Sequence, residues 1–312
     1  MKIIEVKNLK KSYGKITALK GIDVYVDRGE FFGLLGPNGA GKTTTINILS
    51  TILKPDEGEV YINGHSMYDH PKQCKKFIGI VPQELALYEE LSAMENLIFW
   101  GRLYGISQSE AETEAKKLLG LFELDSRSRS LIKSFSGGMK RRINMAAAMM
   151  HQPEILLMDE PTVGVDPQSR HKIYDVLAEI AYQGVTIIYT THYMDEVEKI
   201  CNRIGIIDHG QIIASGTLDE LRQITGSTET IIIHFEPSGT ENNHCQKLKS
   251  EFGNPIAVEN DKLVYTTDNS SRDLPLLIDR CSKLCSAITH IAVERASLEN
   301  VFLKLTGRKL RD

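Results

Sequence analysis

Hydrophobic residues recur with two different periods in the first fifty residues. Apolar and polar positions alternate in short runs over residues 3–26, and glycines such as Gly21 interrupt them, which predicts antiparallel strands. The apolar run Phe31–Leu35 then precedes a glycine-rich segment, and Thr45–Leu49 follows that segment. This order predicts a strand, a loop and a helix.

Two short apolar runs and a long helical stretch come next. The runs Glu59–Gly64 and Phe77–Val81 predict strands. The period is helical from Leu91 to about Ile132, where Ser-x-x-Glu capping boxes at Ser92 and Ser107 open amphipathic segments. We therefore expect a helical insertion in an α/β domain. An apolar cluster at its entrance forms either core or a docking face for a partner: Leu85, Leu87, Tyr88, Leu91 and Trp100.

Chemically useful side chains follow three predicted strands. A buried apolar run ends in the paired carboxylates Asp159 and Glu160, which suit Mg²⁺ and water chemistry rather than packing. Gln83 stands where α/β sheets hold their ligands and either reaches a metal or a water or is a solvated amide. His192 follows the buried run Val185–Thr191 and is either structural or catalytic.

The segment Gly36–Thr44 fits the phosphate-binding pattern G-x-x-x-x-G-K-[ST]. Its glycines let backbone N–H groups approach a polyphosphate, and the start of the following helix adds a partial positive charge. We expect Lys42 to neutralise the β- and γ-phosphates and Thr43 to hold Mg²⁺. The candidate nucleotide contacts here are Gly36, Pro37, Asn38, Gly39, Ala40, Gly41, Lys42, Thr43 and Thr44.

A second predicted anion site is Ser136-Gly137-Gly138, because serine and two glycines at a helix start leave N–H groups free. The cations Lys140-Arg141-Arg142 follow, and we expect such a run to form a solvated face. Asp166 is expected to cap the next helix. Tyr13 lies in a predicted turn, where its ring either stacks on an adenine base or belongs to the core.

A chain of 312 residues exceeds what one hydrophobic core usually supports, so we expect two domains. The candidate nucleotide-site residues all lie within residues 1–222. Separate patterns predict three strands and two helices in a small α/β domain at 228–312. Within it Cys281 and Cys285 lie one helical turn apart, near His290, as buried thiols or as part of a metal site.

Composition narrows the classes of partner and the cellular location. A net charge of −4 gives no general attraction to nucleic acid, so no nucleic-acid partner is expected. No run approaches the roughly 18 apolar residues of a spanning helix, and the N-terminus lacks a signal-peptide core. We therefore expect a cytosolic protein with reduced cysteines.

Taken together, the motifs resemble the ATP-binding cassette (ABC) family over residues 1–222. The resemblance implies an α/β fold, the P-loop NTPase cassette, with a mixed sheet core, an antiparallel β subdomain and a helical subdomain at about 91–150. The shared order is Tyr13, the phosphate loop 36–44, Gln83, the helical insertion, Ser136-Gly137-Gly138, Asp159-Glu160, Asp166 and His192.

The resemblance also implies an Mg²⁺-dependent ATPase that acts as a head-to-tail homodimer, with ATP between the phosphate loop of one copy and the Ser-Gly-Gly helix of the other. Glu160 is implied to be the general base, a role worth about 10²–10⁴ in rate. By the same resemblance Asp159 holds Mg²⁺ through water, Gln83 senses the metal and the attacking water, His192 contacts the γ-phosphate, and Asp166 links the two sites.

Two features look like the drug- and sodium-exporting (ABC-2 type) branch: Met139 in place of the usual glutamine, followed by three cations, and the closing segment Leu298–Leu303. The consequence of Met139 for nucleotide contact stays open. That branch implies a separately encoded membrane permease of about six spanning helices and a location on the inner face of the cell membrane. The alternative is a soluble ABC ATPase acting on ribosomes or DNA; the single cassette favours transport.

Overall fold

A computed structural model of the chain describes residues 1–224, 229–236, 256–259, 262–284, 287–294 and 297–307. Two compact units divide the chain: the first is Met1–Thr217, and the second begins at Leu218. Within the ranges described, no helix is both long and apolar enough to cross a membrane.

An antiparallel sheet opens the first unit, as the alternating pattern over residues 3–26 predicts. Its strands are β1 Lys2–Tyr13, β2 Ile16–Asp27, β4 Glu57–Ile62 and β5 His65–Ser66, in the order β2-β1-β4-β5. The sequence suggested that Gly21 interrupts a strand, which is wrong: Gly21 lies inside β2. Leu9 pairs with Ile22 and Lys10 with Lys20, so Gly21 is the extra residue of a β-bulge.

A six-stranded sheet, in the order β10-β9-β3-β8-β7-β6, lies at the centre of the unit. Its strands are β3 Phe31–Leu35, β6 Ile78–Val81, β7 Ile155–Asp159, β8 Thr186–Thr191, β9 Arg203–Asp208 and β10 Gln211–Gly216. Every residue of β3, β7 and β8 is buried, which explains their unbroken apolar runs. Neighbours in the order β9, β3, β8, β7, β6 pair in parallel, so their carboxyl ends meet at one edge.

Helices cover the sheet and form the predicted insertion. They are α1 Lys42–Leu49, α2 Pro71–Lys76, α3 Ala93–Leu103, α4 Gln108–Leu121, α5 Gly137–Met149, α6 Pro167–Tyr182 and α7 Met194–Ile200. Both predicted capping boxes are present: Ser92 with Glu95 opens α3, and Ser107 with Glu110 opens α4. Buried residues of α3, α4 and α5 share one hydrophobic core with β7 and β8.

The second unit is an antiparallel sheet with helices. Its elements are α8 Leu218–Ile224, β11 Glu229–Phe235, β12 Ile256–Glu259, β13 Lys262–Thr267, α9 Ser270–Leu284, β14 Ile288–Glu294 and α10 Leu298–Thr306, with strand order β12-β13-β11-β14. Leu277 and Cys281 of α9 pack on Ile231 and Leu263. Cys281 is thus a buried thiol, whereas Cys285 lies outside the described residues. Among the residues that are described, no group of three or more His, Cys, Asp or Glu side chains is placed to hold a metal.

Candidate functional site

The carboxyl edge of the central sheet gathers most of the predicted site residues around one cleft. The cleft has a volume of about 280 Å³. The phosphate loop follows β3, Gln83 follows β6, Glu160 follows β7, and His192 follows β8. The residues that line the cleft are Ala18, Asn38, Gly39, Gly41, Lys42, Thr43, Thr44, Gln83 and Glu160.

The phosphate loop has two positions that only glycine can fill. A Cβ on Gly36 would lie 2.2 Å from the carbonyl oxygen of Ile207, so the loop runs against β9. Gly41 has φ of +113° and precedes α1 with no side-chain cap. The first turn of α1 therefore keeps backbone N–H groups available for an anion.

Lys42 and Glu160 form a buried ion pair in the cleft. Lys42 Nζ lies 3.0 Å from Glu160 Oε1 and donates to the carbonyl oxygens of Gly36 at 2.8 Å and Pro37 at 3.1 Å. His192 Nδ1 lies 3.3 Å from the other carboxylate oxygen, Oε2. The predicted base, Glu160, therefore lies between the predicted phosphate-binding cation and the histidine.

Backbone strain and one threonine fix the two acids. Glu160 adopts φ of +45°, an unusual conformation for a residue with a side chain and one that functional sites often hold. Its N–H donates to Thr190 Oγ1 at 3.0 Å, and the same hydroxyl donates to Asp159 Oδ1 at 2.7 Å. Thr190 thus sets the position of one acid relative to the other, a role that the sequence analysis missed.

The oxygen atoms available at this edge fit Mg²⁺, a hard cation that prefers oxygen ligands. Thr43 presents an exposed hydroxyl and Gln83 an exposed amide in the cleft. The Asp159 carboxylate is buried, and only one of its oxygens accepts the Thr190 hydroxyl. The donor set is therefore suitable for the ion.

The second predicted anion site lies at the start of α5. Ser136 caps that helix and accepts from Met139 N at 3.3 Å. A Cβ on Gly138 would lie 2.4 Å from the Ser169 side chain. Asp166 caps α6 by accepting from Ser169 N at 2.9 Å, and this N–H holds the pKa of Asp166 below 3.8. None of these residues lines the phosphate cleft of the described chain.

Tyr13 is the last residue of β1, and its side chain is not part of the core. The residue is 48% exposed. The ring is therefore accessible for stacking on a base, which was one of the two alternatives left open by the sequence.

The prediction that residues 140–142 form a solvated face is wrong. Arg141 and Arg142 are buried. Arg141 donates to the carbonyl oxygens of Pro82 at 3.0 Å and Gln83 at 2.8 Å, and Arg142 donates to that of Phe122 at 2.6 Å. Three successive helical residues span about 200° around the axis, so they cannot all face solvent on a helix with one packed side. That geometry was a usable signal.

The apolar cluster after Gln83 is divided between core and surface. Leu87 and Trp100 pack against the main core, and Trp100 Nε1 donates to the carbonyl oxygen of Ala86 at 3.1 Å. Leu85 and Tyr88 remain 41% and 50% exposed. The core alternative therefore holds for Leu87 and Trp100, whereas Leu85 and Tyr88 are exposed and stay candidates for a docking face.

Comparison with known proteins adds family information to this geometry. The profile of the family described as ABC transporter matches residues 19–163. The chain is 43% identical over 326 residues to the linearmycin resistance ATP-binding protein LnrL of Bacillus subtilis (strain 168), covering 99% of this chain and 100% of that protein. It is 36% identical over 312 residues to the daunorubicin/doxorubicin resistance ATP-binding protein DrrA of Streptomyces peucetius, covering 99% and 94%.

The fold is also similar to a solved cassette structure. A dimeric post-hydrolysis structure of the ATP-binding cassette MJ0796, bound to ADP and Pi, matches with a TM-score of 0.63 and 30% sequence identity. The match covers 69% of this chain and 98% of that chain.

Proposed function

Because the chain belongs to the ABC transporter family, we propose that the cleft between Lys42 and Glu160 hydrolyses ATP with Glu160 as the general base. The chain is an ATPase whose hydrolysis is coupled to transport. The observation that carries the residue assignment is the contact of Glu160 with both Lys42 and His192, at 3.0 and 3.3 Å.

The side chains divide the work of hydrolysis. Lys42 neutralises the β- and γ-phosphates, and the carbonyl oxygens that hold its Nζ keep the charge at the cleft. Glu160 takes a proton from the attacking water. His192 orients the Glu160 carboxylate and contacts the γ-phosphate. Thr43, Gln83 and, through water, Asp159 would hold Mg²⁺, which would supply further charge neutralisation.

Each complete site requires a second copy of the chain. Ser136, Gly137, Gly138 and Asp166 lie outside the phosphate cleft of their own copy in the described structure, yet Ser136 opens a helix start suited to an anion. In the proposed homodimer, this helix start contacts the γ-phosphate bound to the partner copy, and Asp166 links the two sites. Tyr13 stacks on the adenine.

Mixing two inactive variants tests the shared site. Lys42→Ala removes the phosphate-binding cation, whereas Ser136→Asp retains a good helix cap and places a negative charge against the γ-phosphate. Each variant alone should be inactive. A mixed dimer contains one site free of both changes, so mixing should restore ATPase activity. A mixture as inactive as its components would contradict the shared site.

The exported substrate passes through a separate membrane permease of about six spanning helices, and the ATPase binds it on the cytoplasmic face of the membrane. Support comes from full-length similarity to ATP-binding proteins named for drug and antibiotic resistance. The same similarity favours transport over action on ribosomes or DNA. We assign the permease contact to Leu85 and Tyr88, which are exposed directly after Gln83.

The cassette comprises residues 1–222 in this proposal, and residues 228–312 form an accessory domain. The change of compact unit at Leu218 supports such a division.

A further inference from the structure

Glu196 is a fully buried carboxylate in α7, four residues after His192. Four hydroxyl groups donate to it. Thr162 at 2.6 Å and Tyr174 at 2.9 Å bind Oε1. Tyr189 at 2.9 Å and Thr191 at 2.8 Å bind Oε2. The four donors fill the acceptor sites of a carboxylate, which accepts hydrogen bonds but donates none.

The donors lie on the segments that carry the reacting residues. Thr162 is two residues beyond Glu160, and Thr191 immediately precedes His192. Thr191 Oγ1 also accepts from Tyr193 N at 2.9 Å, so the residues on both sides of His192 are tied to the same hydroxyl. Glu196 thereby joins the end of β8 to the turn after β7.

The phenol groups of the two tyrosines in this network stay protonated. Burial, and to a smaller extent the neighbouring Glu196 carboxylate, raises the pKa of Tyr189 well above its ordinary value. The same two causes raise the pKa of Tyr174. Both phenols therefore remain donors at physiological pH. Two cations lie near the network: Arg170 Nε is 3.8 Å from Glu196 Oε1, and Lys199 Nζ is 5.1 Å from the centre of the Tyr174 ring.

We propose that Glu196 is a positioning residue for ATP hydrolysis: it holds His192 and Glu160 at their working separation without touching nucleotide. This inference rests on the proposed roles of His192 and Glu160. Glu196 links the segments that carry His192 and Glu160, whose side chains lie 3.3 Å apart, and a carboxylate that only stabilised the fold would not need to make that link. Displacing a catalytic group by about 1 Å costs on the order of 10² in rate.

Substitutions of Thr191 separate positioning from stability in the full-length protein. Thr191→Val keeps the shape but removes both hydroxyl bonds, whereas Thr191→Ser keeps the hydroxyl. We expect Thr191→Val to lower kcat by at least about tenfold, with the KM and the binding constant for ATP within threefold of the parent, and Thr191→Ser to restore kcat. Tyr174→Phe, the matched control, removes one donor to the same carboxylate from α6 and should lower kcat far less.

Thermal unfolding and the binding of a fluorescent ATP analogue should be measured for each variant alongside the steady-state kinetics. Glu196→Gln, which replaces an acceptor oxygen with an NH₂ donor, should lower kcat by about 10²-fold with little change in ATP binding. Equal kcat losses in Thr191→Val and Tyr174→Phe would overturn the proposal, as would parallel changes in kcat and ATP binding, no effect at all, or a Thr191→Val protein that does not fold. Unimpaired turnover by Glu160→Gln would instead refute the proposed function.

Discussion

Replacing Arg141 tests whether the position of Gln83 depends on the hydrogen bond that this buried cation donates to its backbone carbonyl oxygen. The guanidinium donates two hydrogen bonds, to the carbonyl oxygens of Pro82 and Gln83. Arg141→Met fills a similar volume but leaves both carbonyl groups without that donor. Gln83 would then lose its fixed position at the cleft, while Lys42 and the phosphate loop would be unchanged. We therefore expect slower turnover with normal ATP binding.

The two bonds allow the size of the effect to be worked out. A hydrogen bond to a charged group is worth about 1.5–3 kcal/mol. The variant loses two such bonds but no longer has to bury a charge, so we expect a net destabilisation of about 3 kcal/mol. In a unit of this size that corresponds to a fall in Tm of roughly 6–12 °C. Misplacing Gln83 by about 1 Å should reduce kcat by on the order of 10².

Arg142→Met is the matched control, because Arg142 is an equally buried neighbour that binds Phe122 and does not contact Gln83. Steady-state ATPase assays at saturating MgATP, ATP titrations and thermal melts should be run on both variants below their unfolding temperatures. Arg142→Met should melt lower and keep kcat within about twofold. If both variants lost turnover equally, or if Arg141→Met kept the parent kcat, the reasoning would be refuted.

Two further predictions concern the surface and pH. Changing Leu85 and Tyr88 together to Ser should preserve ATPase activity and abolish co-purification of the permease, whereas Tyr182→Ser, at another exposed aromatic residue, should not; retained co-purification would count against the contact. Burial holds the pKa of His151 below 6.5, so the unfolded chain binds a proton first and the unfolding free energy falls as pH drops through 6.5. Denaturant melts at pH 7.5 and 5.5 should show a smaller loss for His151→Phe than for the parent; identical losses would exclude this effect.

The parts of the site that depend on contiguous residues could be predicted from the sequence. The phosphate loop needs glycines at fixed spacing, and Gly36 and Gly41 meet steric and backbone requirements that other residues cannot. Asp159, Glu160 and His192 follow apolar runs, and the carboxyl ends of parallel strands meet at one edge. Local pattern and sheet topology together therefore bring these residues to the same place.

The supporting contacts could not be predicted because their partners are distant in sequence. Arg141 binds a carbonyl oxygen 58 residues away, and Glu196 binds Thr162 34 residues away. Helical spacing indicates that residues 140–142 cannot all face solvent, but it does not identify the carbonyl groups that Arg141 binds, and a charged residue such as Glu196 usually faces water. The apolar cluster after Gln83 divides for a similar reason: Leu87 meets the core and Leu85 does not, which only tertiary packing decides.

The most direct test of the account measures MgATP binding, turnover and association state in Glu160→Gln. The substitution keeps the shape of the side chain but removes the base, while Lys42 and the glycine loop remain to bind phosphate. We predict an ATP dissociation constant close to that of the parent, a kcat lower by about 10²-fold or more, and an ATP-dependent dimer in sedimentation. Parent-like turnover in this variant would contradict the assignment of Glu160 as the base.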